Sequence, residues 1–110
     1  MSDDKINQML HFQKIFQDSL GVSIFSTEYR KDMILAMHTE LSELLQELDW
    51  KPWRKTVKIE DIEKIHGELS DIWHFLINLT MSFGIFSTDE IYQMFMEKHI
   101  INKERQKDGY

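Results

Sequence analysis

The sequence predicts an all-α protein, a helical bundle of four to five helices forming a single domain over residues 1–110, and three observations carry that prediction. Only four Gly and one Pro punctuate the 110 residues, too few for the frequent turns of a strand-rich chain. Apolar residues recur at intervals of three and four over four long segments, the period of a helix with one buried face. Two of these segments carry acids three residues apart, Glu40 with Glu43 and Glu68 with Asp71, a spacing that puts both side chains on one side of a helix.

A chain of this length buries one modest core, and small domains often bury more by oligomerising. The net charge of −6 argues against a nucleic-acid surface, which needs basic patches to neutralise phosphates. There is no cysteine, which excludes a disulfide framework, a thiolate nucleophile and a Cys-based zinc site. The first five residues are polar and acidic, and no apolar run approaches membrane-spanning length. The expectation is a soluble cytoplasmic protein with neither a membrane nor a nucleic acid as partner.

Ile6, Met9, Leu10, Gln13, Phe16 and Gln17 define a first amphipathic helix that should end near Gly21. Gln13 lies on or beside the buried stripe, and on pattern alone it is a surface glutamine at the edge of the core. Residues 22–27 read as a loop, with Ser26 or Thr27 available to cap the next helix.

The second helix runs from about residue 28 to 48, with Ile34, Met37, Leu41, Leu44, Leu45 and Leu48 as its core face. Glu40, Glu43 and Glu47 form a stripe roughly 100° away around the axis. A charged stripe is ordinarily a solvated face. Such a face usually mixes in Lys or Arg for ion pairing, however, and residues 39–49 contain no base.

Pro52 breaks the helix inside Trp50-Lys51-Pro52-Trp53-Arg54. The two indoles either cap the core or, beside two cations, suit a nucleobase-plus-phosphate ligand. The sequence supports both equally.

The third helix spans about 59–83, with Ile62, Ile65, Leu69, Ile72, Trp73, Leu76 and Leu79 as its core stripe. Glu68 and Asp71 are offset from that stripe in the same rotational sense as Glu40 and Glu43 are from theirs. If the two stripes face each other in an antiparallel pair, the four carboxylates converge on one side of the contact. Carboxylates so placed repel, and a hard divalent cation is the usual remedy, so the pattern reads as a Mg2+ site that would also accept Mn2+. His66 and His74 lie near the acids but read as surface or core groups.

Gly84 ends the third helix, and Ser87 or Thr88 followed by Asp89-Glu90 starts a fourth. Its apolar residues are Ile91, Met94, Phe95, Met96 and Ile100. The basic end of the chain is either a solvated tail or a clamp in which Lys98, Asn102 and Arg105, at i, i+4 and i+7, reach one anion. Trp73, Phe75, Phe83, Phe86, Met94, Phe95 and Met96 exceed what one short bundle readily covers, which predicts self-association.

With these residues in place the chain resembles the all-α nucleotide pyrophosphatase superfamily, the MazG-like and dimeric-type dUTPase proteins. Their E-x-x-E and E-x-x-D helices are matched by Glu40, Glu43, Glu68 and Asp71. Their C-terminal K-x-x-x-N-x-x-R-Q-x-x-G-Y is matched by Lys98, Asn102, Arg105, Gln106, Gly109 and Tyr110, and their W-K-x-W segment by Trp50 to Trp53. Gln13 stands where the family has a base-reading Gln. Gln17 departs from the Asn or Asp that many dimeric dUTPases carry shortly after it, and the chain is a minimal form beside members with extra helices.

The resemblance implies an all-α Mg2+-dependent hydrolase that converts a deoxynucleoside triphosphate, dUTP first, to the monophosphate and pyrophosphate. dCTP or modified nucleotides are the alternative substrates. It further implies metal ligation by Glu40, Glu43, Glu68 and Asp71, with Glu43 as the catalytic group that orients and deprotonates the attacking water. Lys98, Asn102, Arg105 and Tyr110 would hold the phosphates, Gln13 and Trp53 the base, and the assembly would be a homodimer or a dimer of dimers.

Overall fold

The structure, a computed structural model, describes residues 3–109. Four helices make up the described chain: α1 (Lys5–Ser19), α2 (Thr27–Gln46), α3 (Ile62–Ser82) and α4 (Thr88–Lys107). Each begins on a short polar side chain that accepts from a backbone N–H three residues on: Asp4 from Asn7, Ser26 from Tyr29, Asp61 from Lys64 and Ser87 from Glu90. Those contacts satisfy donors that the helix itself leaves unpaired. Gly21 and Gly84, at φ 70° and 90°, turn the chain out of α1 and α3 through a conformation that costs glycine no steric penalty.

Three boundaries differ from the sequence expectation. Helix α2 stops at Gln46, short of Leu48, and α3 starts at Ile62 because Asp61 caps it, leaving Ile59 outside the helix and exposed. Helix α4 continues to Lys107, so residues 102–107 are helical and not a frayed tail.

Helices α2 and α3 pack antiparallel, and the contact between them is a ladder of polar pairs. From one end, Arg30 donates to the Ser82 hydroxyl at 2.9 Å and to the Ser82 carbonyl at 2.6 Å, and the Asn78 amide meets the Met33 sulfur at 3.6 Å. Glu40 meets Glu68 and Asp71 at mid-length, and Glu47 pairs with Lys64 at 2.9 Å at the other end.

This ladder overturns the expectation that the two apolar stripes face each other. Because the acids occupy the contact, much of each stripe, offset in the same rotational sense on antiparallel helices, emerges on one flank of the pair, while Met37, Leu44, Ile65, Ile72 and Leu79 stay half-buried. Ile34, Leu41, Leu45 and Leu48 of the second segment, and Ile62, Leu69, Trp73 and Leu76 of the third, are all exposed.

The buried core is correspondingly small. Leu10, Ile24, Tyr29, Ile77 and Met81 meet where α1 crosses α3, with Met33 and Ile91 packed against them. Polar contacts reinforce the junction: the Tyr29 hydroxyl donates to Gln17 Oε1 at 2.9 Å, Ser82 donates to the Ile24 carbonyl, and the Arg30 guanidinium lies 4.2 Å from the centroid of the Phe83 ring. Helix α4 is attached at its start, where the Thr88 N–H donates to Asn7 Oδ1 at 2.8 Å and its hydroxyl to Asp4 at 2.7 Å. None of its described residues is buried. The radius of gyration is 17.6 Å, against about 13 Å for a self-contained domain of this length.

Candidate metal centre

Glu40, Glu68 and Asp71 each offer a carboxylate oxygen, and the three oxygens lie within 4.8 Å of one another. Their positions follow from helix geometry: Glu68 and Asp71, three residues apart, project from one side of α3, and the antiparallel register of the Arg30–Ser82 and Glu47–Lys64 contacts sets Glu40 opposite them. Glu40 Oε2 and Glu68 Oε2 are both buried and, among the described residues, have no hydrogen-bond partner. Buried oxygens of this kind carry a desolvation cost that only a proton or a cation offsets.

The Glu40 carboxyl is pushed up to about 7, first by the Glu68 carboxyl set against it, then by burial and by the charges of Glu43, Asp71 and Glu68. Glu43 is exposed and stands outside the three-acid group, close enough for its charge to act on Glu40. The third acid of the α2 stripe does something else. Glu47 is only 6% exposed and pairs with Lys64, whose ammonium is held above its ordinary value by that hydrogen bond and charge. The base that residues 39–49 lack is thus supplied by α3.

The donor set fits a hard divalent cation: three carboxylates, two with orphaned buried oxygens, and no sulfur or imidazole among them.

Beside the acids, a groove of about 630 Å³ separates α1 from α3, with Met9, Phe12, Gln13, Leu69, Trp73 and His74 among its walls. Leu69 and Ser70 lie between Glu68 and Asp71 in α3, so the groove and the acid cluster share one stretch of helix. Gln13 is half-buried at the edge of the core, as pattern alone suggested, and its Nε2 donates to Asn78 Oδ1 at 2.7 Å. Gln17 faces the core and is buried against Tyr29. His74 Nδ1 lies 2.7 Å from the Ser70 carbonyl, which can only accept, so that nitrogen carries the proton.

The remaining sequence-derived residues lie elsewhere. Trp53 is 70% exposed and meets Trp50 edge to face at 5.7 Å, away from both core and groove, so the indoles do not cap the core. Lys98, Asn102 and Arg105 are exposed along α4, which packs against neither α2 nor α3 beyond its first turns. One chain does not bring them to the acids. Tyr110 lies outside the described residues. Sequence reasoning missed Asn78, although a lone amide in the apolar run from Phe75 to Leu79 was a visible signal, and it read Trp73 as core and His74 as a surface or core group, not as walls of a groove.

A family model described as dUTPase matches residues 4–86, which takes in α1 to α3, both acid pairs and the groove but not the basic half of α4. A dCTP pyrophosphatase of Enterobacteria phage T4 is 32% identical over 72 residues, 56% of this chain and 42% of that protein. The match therefore spans less than half of that relative's length. No solved structure matches the chain.

Proposed function

The chain belongs to the dUTPase family matched over residues 4–86, and from that premise we propose that it is a nucleotide pyrophosphohydrolase that splits dUTP into dUMP and pyrophosphate. The observation that carries this reading is the three-acid cluster with its two orphaned buried oxygens, set near an apolar groove with the volume of a small-molecule site.

Glu40, Glu68 and Asp71 would hold Mg2+, or Mn2+ in its place, with Glu43 completing the set from the same face of α2. A cation held there would supply positive charge for the phosphate oxygens and would make the attacking water more acidic. Glu43, exposed beside the cluster, accepts the proton from the attacking water. Gln13 reads the base from the groove wall. Trp53 packs on the ligand from the connection between α2 and α3, and Lys98, Asn102, Arg105 and Tyr110 hold the phosphate chain.

Homodimerisation, or pairing of dimers, is part of the same proposal. The residues Ile62, Ile65, Leu69, Ile72, Leu76, Leu79 and Phe83 alternate steps of three and four along α3, the seam spacing of helices packed on partner helices. Most of that seam is exposed in the single chain, and the chain's open shape gives it no internal partner. A second copy supplies one, and brings a second α4 within reach of each acid cluster.

The phage T4 relative favours one alternative, dCTP as substrate. Pyrophosphate release from dUTP, dCTP and the other deoxynucleoside triphosphates, with and without Mg2+, tests the whole reading. Metal-dependent release from dUTP supports it, and no release from any nucleotide overturns it.

A further inference from the structure

Asn78 sits within an apolar run of α3 and is only 3% exposed. Its Oδ1 accepts from Gln13 Nε2 at 2.7 Å, while its own nitrogen faces the Met33 sulfur at 3.6 Å, a weak acceptor. As packing alone this is a poor arrangement, since a leucine would fill similar space without the cost of burying an amide against a thioether. What the amide does achieve is orientation. A glutamine side chain can present either its oxygen or its nitrogen, two ends alike in shape and opposite in polarity. With the Gln13 nitrogen drawn to Asn78, the Gln13 carbonyl, which has no hydrogen-bond partner among the described residues, is the acceptor left at the groove wall.

We infer that Asn78 is a positioning residue for base selection: it holds the Gln13 amide in one orientation, so that the groove takes a pyrimidine with a ring N–H and rejects one with a ring lone pair. The inference rests on the reading that the groove receives the base. Uracil carries a donor at ring position 3 and pairs with the Gln13 carbonyl, whereas cytosine carries a lone pair there and is repelled by it. To accept cytosine, Gln13 must turn over, which breaks its bond to Asn78 and leaves a buried oxygen unpartnered. Turning both amides over instead sets the Asn78 carbonyl against the Met33 sulfur, lone pair against lone pair. A site in which a mismatch strands a buried polar group discriminates more strongly than an apolar pocket of the same shape.

Steady-state kcat/KM for dUTP and dCTP, measured on the full chain with Mg2+, tests this. Wild type prefers dUTP. Asn78→Leu, which frees Gln13 to rotate, lowers the dUTP-to-dCTP ratio by about tenfold or more, through KM for both substrates, while kcat on dUTP moves by less than about threefold. Asn78→Asp, whose carboxylate still accepts from Gln13, keeps the wild-type ratio. Should Asn78→Leu not fold, Asn78→Ser, whose shorter side chain holds its oxygen back from Gln13, gives the same readout. A merely structural Asn78 lowers the melting temperature in every variant and leaves the ratio alone. An unchanged ratio in folded Asn78→Leu or Asn78→Ser, or a wild type that prefers dCTP, overturns the inference while the enzyme assignment stands. A wild type that hydrolyses neither overturns both.

Discussion

Glu40 and Glu68 meet across the α2–α3 contact with a carboxylate oxygen of each within 4.8 Å of the other, and the Oε2 of each is buried with no hydrogen-bond partner among the described residues. Two carboxylates that close in a desolvated site repel, and a proton on one of them relieves the repulsion. That proton belongs to the metal-free protein and sets how the site responds to pH.

The Glu40 carboxyl is raised in the folded chain to about 7 from an ordinary 4.5, so between those values the native state binds a proton that the unfolded chain has released. Stability in EDTA therefore falls as pH rises from about 5 to about 7 and levels off above. Added Mg2+ competes with this proton, so the rise in melting temperature that it causes is larger at pH 8 than at pH 5.5. Glu40→Gln, which removes the charge at constant size, should flatten the pH response in EDTA and abolish the stabilisation by Mg2+. Thermal melts across this range read both effects, and a melting temperature in EDTA that climbs steadily to pH 8 contradicts the assignment.

Glu43→Gln is expected to lose turnover by about a hundredfold or more, the scale of a missing general base, with the helical circular dichroism of wild type. The exposed position of Glu43, outside the three-acid group, makes this variant a test of chemistry and not of folding. Full activity in Glu43→Gln would move the base elsewhere.

Arg105→Ala should reduce turnover at least tenfold, about 2–4 kcal/mol of lost transition-state stabilisation for a removed charged contact. Mg2+ affinity of the free enzyme should change little, because Arg105 lies on exposed α4 and not on the acid-bearing helices. Initial rates and a metal titration monitored by melting temperature separate the two effects.

Leu76→Glu places a charge in the exposed α3 seam. Sedimentation velocity at micromolar concentration should find wild type as a dimer or larger and Leu76→Glu shifted toward monomer, since burying an unpaired carboxylate opposes association. A monomeric wild type removes the proposed assembly.

Tyr29→Phe deletes the donor to the buried Gln17 Oε1 and should cost about 1–3 kcal/mol of stability, the range for stranding a buried acceptor. Urea unfolding measures it. Substrate preference should stay unchanged, as Gln17 faces the core.

The helices and the acid cluster were legible in the sequence because their signals are local. Caps such as Ser26 and Ser87 and the three-residue spacing of Glu68 and Asp71 act within one turn of helix. The packing of α2 on α3 was not legible, since it depends on which of two adjacent stripes forms the contact. Apolar periodicity favoured Leu41 and Ile72, but in one chain the contact goes to Arg30, Glu40, Asn78 and Lys64. The seam spacing on α3 was present in the sequence yet could not say whether its partner was internal. The roles of Gln13 and Asn78 rest on a contact between residues 65 positions apart, which no local pattern encodes.

The acid cluster sits between two fastened ends: Arg30 ties α2 to Ser82 on one side, and Glu47 ties to Lys64 on the other. Like-charged groups at the middle of a beam pinned at both ends cannot separate by splaying the helices. The spacing of the three carboxylates is then a property of the frame and not of its contents. A stiff frame discriminates by ionic radius, favouring a small cation with short bonds to oxygen over a larger one that would have to push the helices apart. Cutting either tie should relax that discrimination before it unfolds the chain.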